Sequence, residues 1–232
     1  MFTKEQILEG QLFLIDKPLN WTSFDVVNKL RYALKRAYGF KKLKVGHAGT
    51  LDPLATGLLL IAVGRKTKSI NDLMGMDKTY TGDIFLGATR PSYDRETEID
   101  QEYPIEHIQE EALESARSQF LGEIDQIPPV FSAIKKDGKK AYESAREGEE
   151  IKMAPRRVRI NHFDIQSEQF PLIHFSTSVS KGTYIRSLAH DFGKALKSGA
   201  YLHSLRRTQI GDYSVADALQ IEDFLASLPV KE

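Results

Sequence analysis

Gly46-His47-Ala48-Gly49-Thr50-Leu51-Asp52-Pro53-Leu54-Ala55-Thr56-Gly57 runs directly into Leu58-Leu59-Leu60-Ile61-Ala62-Val63, and Gly64 closes the run. A short, unbroken apolar run between glycines suits a strand buried on both faces. The core behind such a strand holds the chain that enters it. Gly49 and Gly57 permit backbone angles and close approaches that a side chain forbids. One carboxylate, Asp52, sits in this entry, and Pro53 biases it towards extended angles. Taken alone, Asp-Pro also opens helices, with Asp as N-cap and Pro at the first helical position. On the dipeptide alone both readings stand.

The charge balance is neutral, with 32 basic and 32 acidic residues in 232. The distribution is not even. Acidic residues crowd the stretch from Asp94 to Glu114. Basic residues crowd Arg31 to Lys44, Arg65 to Lys68, Lys135 to Lys140 and Arg156 to Arg159. A neutral chain with segregated charge can present a basic face to nucleic acid, although any one run is equally a solvated surface. Cysteine is absent, which excludes a disulfide framework and cysteine-ligated zinc. No apolar segment has the length of a membrane span and the N-terminus lacks a signal-peptide pattern, so a cytoplasmic protein is expected.

Along the chain, Thr3 and Gln6 form a capping-box pattern before a short helix that Gly10 ends. Gln11 to Ile15 reads as a strand. Thr22-Ser23 opens a helix to about Ala37, with Val26, Val27, Leu30 and Leu34 on one face and Gly39 as its stop. A linker rich in Met and Gly follows Lys68. Thr79 to Leu86 alternates as a strand. Residues 89–102 read as an irregular acidic loop, and Pro104 as the opening of a helix to Phe120. The segment 124–152 reads as a mobile, lysine-bearing, RNA-binding excursion. Val158 to Ser167 and Leu172 to Val179 are paired strands. Thr183 caps a helix carrying Ile185, Leu188, Ala189, Phe192 and Leu196. Ser204 to Tyr213 is a last strand, and Ile221 to Leu228 a closing helix. The class is α+β.

The stretch His47 to Leu59 closely resembles the catalytic loop of the TruB family of tRNA pseudouridine synthases. Asp16-Lys17-Pro18 matches the family's entry motif, Asp77-Lys78-Thr79-Tyr80 its Asp-Lys-x-Tyr, and Lys181-Gly182-Thr183-Tyr184-Ile185-Arg186 a further motif in full. The resemblance covers about residues 10–213. It implies the pseudouridine synthase fold, a mixed and largely antiparallel sheet with flanking helices and a central RNA-binding cleft. It implies one catalytic domain over 1–232 without a C-terminal PUA-like RNA-binding domain. It implies isomerisation of the T-loop uridine at position 55 of tRNA, with the T-arm stem-loop as partner. A monomer without membrane contact is expected.

The resemblance also assigns residues. Asp52 falls on the nucleophile. Arg186 falls on the arginine that pairs with it; alone, a cation in the first turn of a helix simply opposes the dipole. Tyr80 falls on the tyrosine that stacks on the target base and is a candidate proton acceptor; alone, it is an ordinary core aromatic. Tyr184 and Leu205 fall on the lining of the uracil pocket. His47 falls on the histidine that holds the target base out of its loop, as an enzyme must when a stacked base is to be reached. Lys17 in the entry motif and Lys68 in the basic run are expected substrate contacts. One motif departs: Gly87-Ala88-Thr89-Arg90-Pro91-Ser92-Tyr93-Asp94 keeps Asp94 but not the family's threonines, which puts this loop's RNA contacts in question.

Pseudouridine formation detaches uracil from C1′, turns it and rejoins it through C5. An isomerisation of this kind calls for no cofactor and no metal, and a carboxylate nucleophile suffices, at C1′ or at C6. Two other readings compete. A non-catalytic tRNA-binding module on the same scaffold sits poorly with Asp52, Tyr80 and Arg186 together. A glycoside hydrolase wants two facing carboxylates, and the central motif supplies one.

Overall fold

A computed structural model describes residues 2–131, 135–136, 139–140 and 153–229 of the chain. The first half carries α1 (Lys4–Glu9), β1 (Gln11–Lys17), α2 (Ser23–Tyr38), β2 (Val45–His47), β3 (Ala55–Val63), α3 (Ile70–Gly75), β4 (Lys78–Leu86), β5 (Ala88–Thr89) and β6 (Gln101–Glu102). Then come α4 (Glu110–Ser118), β7 (Gly122–Gln126), β8 (Lys135–Lys136), β9 (Lys139–Lys140), β10 (Arg156–Gln169) and β11 (Leu172–Val179). The last elements are α5 (Ile185–Ala195), β12 (Ala200–Ile210), β13 (Tyr213–Ser214) and α6 (Ile221–Ala226). No helix among the described residues is long and apolar enough to cross a membrane. The class is α+β as expected, with a mostly antiparallel sheet and flanking helices.

The chain divides into two compact units, Met1–Tyr80 with Leu205–Glu232, and Thr81–Ser204. The boundary falls inside β4 and inside β12. In the first unit β3 is the central strand. One of its edges pairs antiparallel with β1, in the register Leu14↔Leu60. The other edge is shared. Residues 61–63 pair antiparallel with β2, and residues 55–57 pair parallel with 205–207 of β12. So β2, the loop 48–54 and β3 form a wide hairpin, and β12 runs in beside the end of β3 next to the loop.

The apolar run is buried on both faces, as its composition requires. Leu59, Ile61 and Val63 pack with Val26, Val27, Leu30 and Leu34 of α2 and with Ile221 and Phe224 of α6. Leu58 and Leu60 face the other way, onto Leu73 and Ile210. Each such side chain contributes roughly 1.5–3 kcal/mol on leaving water, so the strand behind Asp52 is firmly held. Local signals set the helix ends. Thr3 with Gln6 and Thr22 with Asp25 are complete capping boxes, and Gly39 ends α2 in the left-handed conformation.

In the second unit β10 pairs antiparallel with β11 and, through Arg156 to Ile160, with β7. Phe120, Phe163 and Phe192 meet edge to face between this sheet and the helices α4 and α5. The excursion expected from 124 thus begins as sheet, and 132–152 lie outside the described residues apart from β8 and β9.

Four local expectations are corrected. The Met- and Gly-rich linker expected after Lys68 is the helix α3, pinned by buried Leu73 and preceded by a 3-10 turn over Gly64–Ser69. Residues 89–102 are not an irregular loop: β5 and β6 pair across its base, and Ser92 and Asp94 are buried within it. The helix expected from Pro104 starts at Glu110, because the Pro104 carbonyl accepts from the Ser198 hydroxyl (3.1 Å) and Ile105 to Ile108 close a separate turn. Thr183 does not cap α5; its hydroxyl donates to the Ser180 carbonyl (2.9 Å), and Tyr184 is the N-cap.

Candidate active site

Asp52 lies at the tip of the β2–β3 hairpin, and its two neighbours are clamped. On one side the Ser23 hydroxyl, in the first turn of α2, accepts from the Leu51 amide (2.8 Å) and donates to the Leu51 carbonyl (3.1 Å). On the other side the Pro53 carbonyl accepts from the Asn20 amide (2.8 Å) and the Lys17 ammonium (3.4 Å). No helix follows Pro53. The Ala55 amide bonds back to the Asp52 carbonyl (3.1 Å) and the chain enters β3, so the helix-opening reading of Asp-Pro is overturned. Asp52 is partly exposed while Leu51 is buried. The backbone is fixed and the carboxylate is presented.

Lys17 is fully buried, and its ammonium donates also to the carbonyls of Pro18 (2.8 Å) and Trp21 (2.6 Å). Burial brings its pKa down to about 8, the Arg207 charge adds to the fall, and Asp52 opposes it. It holds the loop from beneath. His47, at the end of β2, has its pKa lowered, first by burial and then by the Arg207 charge, against a hydrogen bond with the Gly49 backbone. Burial thus favours the neutral imidazole. Leu205 of β12 pairs with Ala55, three residues past Asp52. Tyr80 is buried on β4, the neighbour of β12 in strand order. Lys68 is exposed in the 3-10 turn after β3.

Sequence reasoning missed Arg207. The residue is 1% exposed, and its guanidinium donates to the carbonyls of Leu58 (2.8 Å) and Gly49 (3.0 Å), one on each side of the loop. Its backbone is equally close: a Cβ on Gly57, which has φ +103°, would stand 2.3 Å from the Arg207 carbonyl oxygen. Only glycine fits there. Ser23 was also missed, although a second hydroxyl beside the N-cap Thr22 was a legible signal.

Arg186 and Tyr184 belong to the second unit. Arg186 is the second residue of α5 and is buried. Its Nη1 donates to the Ser92 carbonyl (3.3 Å), and its Nε stands 3.7 Å from Oδ2 of Asp94, itself buried. Asp94, the residue kept in the departing motif, thus supplies an anion opposite a cation at a helix N-terminus. The same loop stacks Tyr93 on His190 of α5 at 3.7 Å and 9°. Tyr184 is placed by Gln126 of β7, whose side-chain amide accepts from the Tyr184 amide (2.8 Å) and donates to its carbonyl (3.0 Å). No local pattern around Gln126 announced that contact.

Comparison with known proteins gives one consistent answer. The sequence model of the TruB family pseudouridylate synthase N-terminal domain matches residues 35–185, and that of the tRNA pseudouridylate synthase B C-terminal domain matches residues 186–232. The chain is 59% identical to tRNA pseudouridine synthase B of Flavobacterium johnsoniae over 97% of its own length and 99% of that relative's. It is 51% identical to the protein of the same name from Phocaeicola vulgatus, over 93% of this chain and 92% of that one. Among solved structures, the Cbf5-Nop10-Gar1 complex contains a chain that matches with TM-score 0.70 and 26% identity, over 97% of this chain and 58% of that chain.

Proposed function

The chain belongs to the TruB family of pseudouridylate synthases, and from that premise we propose that it isomerises the T-loop uridine of tRNA, at position 55, to pseudouridine. The N1–C1′ bond breaks, a C5–C1′ bond forms, the proton leaves C5 and one is gained at N1. Atoms and electrons balance without a co-substrate. Asp52 supplies the nucleophile, at C1′ or at C6. Arg186 opposes its carboxylate and keeps it ionised and aimed. Tyr80 stacks on the base and receives the C5 proton. Tyr184 and Leu205 line the uracil pocket, and His47 holds the flipped nucleotide out of its loop. Lys17 fixes the loop through Pro53, and Lys68 meets a phosphate. The T arm is the part of tRNA engaged.

The observation that carries the reading is the double clamp on Asp52, from Ser23 through Leu51 and from Asn20 and Lys17 through Pro53. A carboxylate on a fixed backbone is the preorganised nucleophile that the chemistry needs. The names of the relatives give the substrate. The test is incubation with unmodified tRNA followed by chemical labelling and mapping. Pseudouridine at position 55 is expected; tRNA that stays unmodified would sink the reading.

A further inference from the structure

A second feature of the first unit lies upstream of the hairpin. A groove of about 520 Å³ runs between α2 and the segment 41–46. Five cations line it: Arg31 and Lys35 from α2, and Lys41, Lys42 and Lys44 from the connection to β2. Val45, Gly46, Thr67 and Ile70 line it as well. Among the described residues no acidic side chain lines it.

The groove is built into the fold. The left-handed turn at Gly39 sends the chain back past the helix it has just left. Arg31 fastens the two walls, donating to the Val45 carbonyl (3.1 Å) and to Asn28 Oδ1 (3.0 Å). Closure at the base is tight, since a Cβ on Gly46 would stand 2.7 Å from Cδ1 of Ile70. In a chain of zero net charge, five cations gathered without a carboxylate are an arrangement, not a consequence of composition. Gathered like charges repel within a Debye length of about 8 Å at physiological salt, and an anion in the groove relieves that cost.

The position of the groove names the anion. Gly46 begins the path through His47 to Asp52, six residues that span at most about 22 Å when fully extended. A polynucleotide with its reacting base at Asp52 has backbone within that reach. We propose that this groove binds the phosphate backbone of the substrate RNA, away from the nucleotide that reacts. The proposal rests on the RNA-modifying function above and extends it to a second contact surface.

Lys41 and Lys42 are exposed, so the double variant Lys41→Gln/Lys42→Gln is expected to fold normally. Its KM for unmodified tRNA at near-physiological salt should rise about tenfold with kcat unchanged, because phosphate contacts set affinity rather than the chemical step. The slope of log affinity against log salt, from direct binding, should become shallower by about 1.5 to 2, the loss of two phosphate contacts. The control is Lys194→Gln/Lys197→Gln, which removes the same charge from exposed positions outside the groove lining. An unchanged slope in the first variant, or an equal change in the control, overturns the proposal. Wild-type protein that binds tRNA with the expected salt slope but forms no pseudouridine refutes the function above and leaves the groove supported by its binding data.

Discussion

At the scale of single residues, one hydroxyl holds the backbone beside Asp52. Ser23 satisfies both polar groups of the buried Leu51 backbone. Replacing it with alanine strands both, at a cost of about 2 kcal/mol, and loosens the residue proposed as the nucleophile. Ser23→Ala should lower the urea midpoint accordingly and reduce kcat more than it raises KM. Stability and kcat both at wild-type levels would show that Leu51 is held by something else. Asp52→Asn is the complementary change. It removes the proposed nucleophile and few phosphate contacts, so turnover should vanish while tRNA binding stays within about tenfold. Measurable turnover near wild type in the purified variant would take Asp52 out of the mechanism. Asp52 itself was legible because its neighbours in sequence are its neighbours in the hairpin. Arg207 was not: it meets Gly49 across 158 residues of chain.

At the scale of elements, the candidate residues stand at ends. Asp52 precedes a strand, Ser23 and Arg186 open helices, and His47 closes a strand. Ends leave backbone groups unpaired, and side chains come to meet them. Arg186 shows the consequence. Its guanidinium reaches both the Ser92 carbonyl and the Asp94 carboxylate from the first turn of α5. Lysine keeps the charge but cannot present a planar fork to two acceptors. Arg186→Lys should therefore lose at least about a hundredfold in kcat, a barrier increase of roughly 2.7 kcal/mol. A kinetic comparison that finds lysine nearly as good would reduce Arg186 to a generic cation. Helix α2 and strand β4 were legible from caps and alternation. The loop around Asp94 was not, because its order comes from burial of Ser92 and Asp94 and from the Tyr93–His190 stack, none of which leaves a periodic mark.

At the scale of the whole molecule, a buried and a partly buried histidine tie stability to pH. Burial holds His190 down to about 4, with Lys194 adding to the effect, and burial lowers His47 in the same direction. Unfolded, both titrate near 6.5. Between pH 6.5 and 4 the unfolded chain binds more protons than the folded one, so stability rises with pH across that window and is lost as pH falls through it. His190 alone accounts for on the order of 3 kcal/mol. Asp191, raised by burial, acts in the opposite sense at the lower end. Urea unfolding at pH 7 and pH 4.5 should show the drop, and His190→Phe, which keeps an aromatic ring against Tyr93, should reduce it. An equal drop in that variant would assign the acid sensitivity to other groups.

The sequence by itself determined the local units and the chemistry they carry. Caps at Thr3 and Thr22, the alternation from Thr79 to Leu86, the doubly buried run Leu58 to Val63 and the motif around Asp52 all act within a few residues, so their meaning is written where they stand. Only the tertiary structure decided which distant groups meet them: Arg207 beneath the loop, Lys17 on Pro53, Gln126 on Tyr184, Asp94 on Arg186. Those partners are chosen by strand order and by the obligation of buried polar groups to find one another. Neither leaves a pattern in the order of residues.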